Sequence, residues 1–173
     1  MSKKKKQLRS AFALLICWAV IAFPACAPYQ LKKDAIGWTL QNDEHRKLSD
    51  YKGKLVILDF YATYCEPCLK ETPHLVQLHE RYAQQGLQVI GLNVGGQDDH
   101  AKIPAYAKEF GIKYPLGLPD DEFVEKYLGD NSNIPQAFVF DRDGQLVKRF
   151  VGYNENVDRE IERIVQVYVS SNK

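Results

Sequence analysis

The sequence predicts an α/β domain with a central mixed β-sheet flanked by helices. Three observations predict it. Residues 54–61 and 87–94 are continuous apolar runs rich in β-branched and aromatic side chains, the pattern of strands buried on both faces. Residues 67–84 between them read as a helix that turns Leu69, Leu75, Leu78 and Tyr82 towards the core, and Gly86 ends it. Such a βαβ unit is parallel and right-handed. Downstream, residues 137–140 and Leu146–Val151 flank Asp141-Arg142-Asp143-Gly144, a hairpin signal, and an amphipathic helix over 157–169 closes the chain.

The remaining elements fall around this frame. Residues 36–40 and 47–48 read as two short strands about the polar turn Asn42-Asp43-Glu44, an N-terminal β extension. Ile103–Phe110 reads as a helix, 114–118 as a short strand bounded by prolines, and 122–128 as one more short helix. Segment 97–120 is therefore an insertion between the βαβ and ββα units. No repeat appears, and the only low-complexity tract is the lysine run at 3–6.

Charge separates the N-terminus from the rest. Of 23 basic residues, five (Lys3, Lys4, Lys5, Lys6 and Arg9) precede residue 26, where no acid occurs; 18 basic residues then face 22 acidic ones. That balance carries no electrostatic footprint for nucleic acid. The basic head is followed by thirteen uncharged apolar residues, 11–23, too short for a bilayer span of about 20 and suited to the apolar region of an export signal. The stretch Phe23-Pro24-Ala25-Cys26-Ala27-Pro28 resembles a lipobox, with Phe23 and Pro24 as departures. The preferred reading is a lipoprotein-type signal peptide over 1–25, lipidation at Cys26, a linker over 26–33 and a domain over 34–173. An uncleaved anchor and a secreted form are the alternatives. Each places the domain outside the cytoplasm.

Of four cysteines, Cys17 lies in the apolar region and Cys26 at the processing site, which leaves Cys65 and Cys68 for the domain. A disulfide-stapled scaffold needs more. A thiol pair between a buried strand and a helix start points to redox chemistry instead. Unpaired N–H groups and the helix dipole favour a thiolate at Cys65, and Cys68 lies one turn on, close enough to close a small ring. Zinc is disfavoured. His74 and His79 follow on the same helix, but Cys-x2-Cys-x5-His-x4-His is no usual finger spacing, and no second CxxC exists.

The stretch GKLVILDFYATYCEPCLKETPHL, with LNVGG at 92–96 and IPQAFVFDRDG at 134–144, resembles the thioredoxin-like superfamily. Within it the chain is similar to the ResA/TlpA-like extracytoplasmic thiol-disulfide oxidoreductases, over about residues 34–170. The resemblance implies a thioredoxin-like fold and a monomer with no cofactor beyond a redox-active Cys65–Cys68 disulfide. It also implies a cis peptide at Pro135, beside that disulfide, with Tyr64, Glu66, Pro67, Ile134 and Pro135 bordering the client site. Tyr61 and Tyr64 stand where relatives usually carry Trp. Cys65 is then the nucleophile and Cys68 the resolving thiol. Clients are disulfide-bearing proteins such as apocytochrome c CxxCH sites, and electrons come from a membrane thiol reductant of the CcdA or DsbD kind.

Two acids are implied as proton handlers. Asp59, six residues before Cys65, matches the buried aspartate of thioredoxin, whereas many ResA-like members carry a neutral residue there. The lysine that accompanies that aspartate falls at Gly91, so desolvation should raise the Asp59 pKa. Glu71 matches a glutamate near the active site of ResA-like proteins, and is expected nearer the surface, tuning the cysteines electrostatically. Glu66 beside Cys65, and Ile134 before the proline, favour a reducing protein. A thiol peroxidase of the same fold needs a Thr/Cys/Arg arrangement that ATYCEPC lacks. A copper-binding module would favour CxxxC and a late His, and no His follows His100.

Overall fold

The computed structural model describes residues 36–170; the expected signal peptide, Cys26 and the linker lie outside them. Seven strands form one sheet. They are β1 Trp38–Leu40, β2 His45–Arg46, β3 Leu55–Tyr61, β4 Leu87–Asn93, β5 Leu116–Pro119, β6 Gln136–Phe140 and β7 Leu146–Val151, in the spatial order β2-β1-β5-β4-β3-β6-β7. β3, β4 and β5 run parallel, and every other pairing is antiparallel, so the sheet is mixed as expected. Five helices accompany it: α1 Glu66–Tyr82, α2 Gln97–His100, α3 Ile103–Phe110, α4 Asp121–Leu128 and α5 Glu155–Ser170. The whole is a thioredoxin-like fold with an N-terminal β extension and an inserted segment.

β3 organises the core. All seven of its residues are buried, and the period-two alternation of a strand divides them between two layers. Leu55, Ile57 and Tyr61 pack with Leu75 and Leu78 of α1, Tyr106 of α3, and Ile161 and Val165 of α5. Val56, Leu58 and Phe60 pack on the other side with Trp38, Phe123, Phe138 and Phe140. The second layer is aromatic, with Phe60 edge-on to Phe138 at 5.6 Å and Trp38 edge-on to Phe123 at 5.3 Å. Asp59 shares the parity of Ile57 and Tyr61, so the strand carries it into the layer under α1.

Several boundaries move, each for a local reason. The second strand lies at His45–Arg46 rather than 47–48, because the Asp50 carboxylate accepts from Lys47 N–H at 3.0 Å and starts a 3-10 turn over Leu48–Tyr51. The first strand opens at Trp38, two residues after the exposed Ile36. α1 begins one residue early at Glu66, and its last residues tighten into a 3-10 turn, Ala83–Gln85, ended by Gly86 at φ 98°. The strand expected over 114–118 is displaced to Leu116–Pro119, consistent with Pro115 having no N–H for the ladder. α5 starts two residues early, at Glu155, because Asn154 Oδ1 accepts from Asn156 and Val157 N–H groups. α2 was not expected.

Gly117 sits where β1 crosses β5. A Cβ there would lie 2.7 Å from the Thr39 carbonyl oxygen, a backbone atom of the paired strand. Gly117→Ala should therefore destabilise the domain by about 1–3 kcal/mol through overpacking, read as a lower urea midpoint at unchanged slope. An unchanged midpoint would mean that β1 yields without cost.

Candidate active site

β3 ends at Tyr61, and four residues later Cys65 caps α1. The Cys65 N–H donates to the Ala62 carbonyl at 3.2 Å, which turns the chain, and the Cys68 N–H donates back to Cys65 Sγ at 3.3 Å. Cys65 and Cys68 form a disulfide across Cα atoms 5.2 Å apart. Cys65 is 8% exposed and Cys68 only 1%, so a partner reaches the first sulfur alone.

The residues expected to border the client site lie around this sulfur. Tyr64 is 65% exposed, and Glu66 and Pro67 are exposed at the helix start. Glu66 accepts from Lys70 Nζ at 2.8 Å, and that bond and charge hold its carboxyl below its ordinary pKa. Across from them, the Ile134–Pro135 peptide is cis and the Ile134 carbonyl oxygen lies 3.8 Å from Cys65 Sγ. The Gly152 N–H donates to the Pro135 carbonyl at 2.8 Å, anchoring this loop to the end of β7. Cys65, Ile134 and Pro135, separated by about seventy residues of sequence, thus meet beyond the C-terminal end of β3, where β6 begins.

The two acids are buried in the layer of the core that holds the disulfide. Asp59 is buried, opposite Gly91 in the β3–β4 register, and no cation faces it there. Desolvation pushes its pKa up from 3.8 to about 7. Glu71 corrects the expectation of a near-surface residue. It is 2% exposed, because it continues the buried stripe Cys68, Glu71, Leu75, Leu78 and Tyr82 of α1. Burial, then the charges of Asp59 and Asp158, raise its pKa well above the ordinary value. Asp59 Oδ1 and Glu71 Oε2 are fully shielded and have no hydrogen-bond partner in the protein. Tyr61, Tyr106 and Tyr114 share this layer, and burial raises the pKa of each hydroxyl, so all three stay protonated.

Comparison with known proteins agrees with this geometry. The AhpC/TSA family model matches residues 31–149. The chain belongs to that family. Thiol-disulfide oxidoreductase ResA of Geobacillus kaustophilus is 29% identical over 177 residues, 95% of this chain and 99% of the relative. ResA of Bacillus subtilis is 33% identical over 122 residues, 69% of this chain and 66% of the relative. A putative protein disulfide isomerase from Bacteroides thetaiotaomicron superposes with a TM-score of 0.68 at 29% identity, covering 77% of this chain and 84% of that one. The homology is thus of the ResA type within the thioredoxin-like superfamily. Cys65–Cys68 is the redox-active disulfide of a protein-disulfide oxidoreductase.

One cluster beside the site was not anticipated. Asp99 of α2 is 1% exposed, and its carboxylate accepts from Thr63 N–H and Asn93 Nδ2, both at 2.8 Å, and from the Thr63 hydroxyl. Burial opposes its ionisation, but the bonds from Asn93 and Thr63 outweigh that and hold its pKa below the ordinary value. The only sequence signal was an acid pair after Gly95-Gly96. Among the described residues no group of three or more His, Cys, Asp or Glu is placed to hold a metal ion. His74 and His79 are half-buried residues of α1.

The Asp59 shift makes stability depend on pH. Between its ordinary pKa near 4 and its native value near 7, the folded state holds the proton more tightly than the unfolded state, so stability falls as pH rises through that window and levels off above it. Asp59→Asn removes this slope. The oxidised variant should match the parent near pH 4 and exceed it at pH 8, by up to about 4 kcal/mol. Urea midpoints at both pH values test this, and a constant difference would mean that Asp59 titrates as an ordinary carboxyl.

Proposed function

We propose that the protein works as a reductase of disulfides in client proteins outside the cytoplasm. The carrying observation is the pairing of a slightly exposed Cys65 with a buried Cys68 that is backed by acids lacking a cation. In the reduced protein the Cys65 thiolate attacks one sulfur of a client disulfide. A Cys65–client disulfide forms, and the first client sulfur leaves as a thiolate. Asp59 accepts the Cys68 proton, directly or through water, with Glu71 adjusting the titration as its buried neighbour. Cys68 then attacks Cys65 Sγ, closes Cys65–Cys68 and releases the second client sulfur. The client gains two electrons and the protein loses two.

Client seating follows from the loop at Ile134. Its N–H makes no hydrogen bond within the described residues, and its carbonyl faces Cys65, so an extended client backbone has a donor and an acceptor to pair with beside the disulfide. Tyr64, Glu66 and Pro67 form the opposite rim. Apocytochrome c CxxCH sites are the client class we favour, and a membrane thiol reductant of the CcdA or DsbD kind is the proposed electron source. Signal residues 1–25, lipidation at Cys26 and a short linker over 26–33 would tether the domain to the outer face of a membrane. A single acyl chain binds only marginally, so stable attachment rests on several chains.

The thiol peroxidase reading is weakened by Thr63, whose hydroxyl is committed to the Asp99 carboxylate. For the reductase, the Cys65–Cys68 couple should equilibrate nearer thioredoxin, about −270 mV, than DsbA, about −120 mV. A potential close to the second value would overturn the reducing direction. Asp59→Asn should leave Cys65 attack unchanged and slow the resolving step by about tenfold or more, so that mixed disulfide accumulates in stopped-flow turnover. Resolution at the parental rate across pH would reduce Asp59 to a core acid.

A further inference from the structure

We propose that Asp99 is a positioning residue for the nucleophile, its carboxylate clamping the loop that presents Cys65 to the end of β4 and the inserted segment. Three segments meet on this one group. Thr63, two residues before Cys65, gives it both its N–H and its hydroxyl. Asn93, the last residue of β4, gives it the side-chain N–H, and the Asn93 side-chain oxygen Oδ1 in turn accepts from the Gly95 N–H at 3.0 Å. Asp99 itself is held in the α2 turn by its N–H bond to the Gly96 carbonyl at 3.0 Å. Lys102 Nζ stands 3.8 Å from Oδ1.

The site is built for this carboxylate. A Cβ at Gly95 would lie 2.3 Å from Asp99 Oδ2, so a side chain there would displace it. Thr63 and Tyr64 belong to no helix or strand, and the Cys65 N–H bond to Ala62 closes a turn with Thr63 at its centre. Holding both polar groups of Thr63 therefore fixes the turn that sets Cys65 at the start of α1. There the Cys68 N–H and the helix dipole stabilise the thiolate. Freed from the clamp, the loop presents the sulfur to those donors less often, and the thiolate loses part of its stabilisation.

The inference rests on Cys65 being the attacking thiol, which is tested separately by mapping which cysteine of the reduced parent iodoacetamide alkylates first. Cys68 reacting first would overturn that assignment and this inference together. With Cys65 confirmed, its alkylation rate against pH is compared among variants. Asp99→Ala leaves the Thr63 and Asn93 donors unpaired, and should raise the Cys65 pKa and slow alkylation at pH 7 by about fivefold, the effect of about one hydrogen bond. Asp99→Asn should stay near the parent. Its carbonyl oxygen can face Thr63 N–H and Asn93, and its NH2 can donate to the Thr63 hydroxyl, which accepts as readily as it donates. Thr63→Val keeps the backbone bond and should fall between parent and Asp99→Ala, and it carries the test if Asp99→Ala does not fold. Parental Cys65 titration in Asp99→Ala, or in Thr63→Val where that variant carries the test, overturns the clamp. So does an Asp99→Asn protein shifted as far as Asp99→Ala, which would assign the effect to charge.

Discussion

Burial of β3 on both faces is the constraint from which the site follows. A strand covered on one side only could leave its odd or even positions to water. Here neither set has that outlet, and the alternation that seats Ile57 and Tyr61 under α1 seats Asp59 there as well. The same strand delivers the chain to Cys65 at its C-terminal edge. It also pairs with β6, whose first residue follows the cis proline, so Pro135 arrives beside the sulfur by strand register rather than by any local signal around the cysteines. Nucleophile, proline loop and buried acid are thus three consequences of one strand's neighbours.

Two kinds of charge act on the cysteines, and burial decides which matters more. Glu66 lies one residue from Cys65, yet it is exposed to solvent and joined to Lys70, a helix-surface pair that is weak and screened by salt. Helix-end effects on an exposed group are of similar size. Asp59 and Glu71 lie buried in the disulfide's layer, where desolvation dominates and raises both carboxyls, Asp59 to about 7. On the proposed cycle the inner pair handles the proton, while Glu66 makes a smaller, salt-sensitive adjustment to the outer sulfur.

How much of this was legible in the sequence depends on the range of the interaction. The apolar runs at 54–61 and 87–94, the CxxC at a helix start and the Asp-Gly hairpin are local patterns, and each produced its element. The resemblance set Gly91 where thioredoxin carries its lysine, and the β3–β4 register puts it opposite Asp59. Glu71 was readable in principle, since 71, 75, 78 and 82 repeat at helical spacing and a carboxylate on that stripe must be buried whatever its charge suggests. Asp99 was not. Its partner Thr63 lies 36 residues away, α2 is a single turn without periodicity, and only the folded chain shows that the acid is enclosed.

The depth of the two sulfurs explains why a buried acid is useful at all. Cys65 is slightly exposed beside Ile134, but Cys68 is buried, so in the reduced protein its proton has no direct route to bulk water. On the proposed cycle that proton must pass to a group already inside. A carboxyl with the ordinary value of 3.8 would scarcely ever accept it near neutrality, whereas one raised to about 7 is protonated and deprotonated in comparable amounts. Pairing Asp59 with a lysine across β4 would relieve its desolvation but pull the pKa back down. Gly91 denies it that partner, and a Cβ at this position would already lie 2.6 Å from Leu116 Cδ2. The glycine that withholds a counter-ion is therefore also what keeps the acid basic enough for the proposed transfer from Cys68.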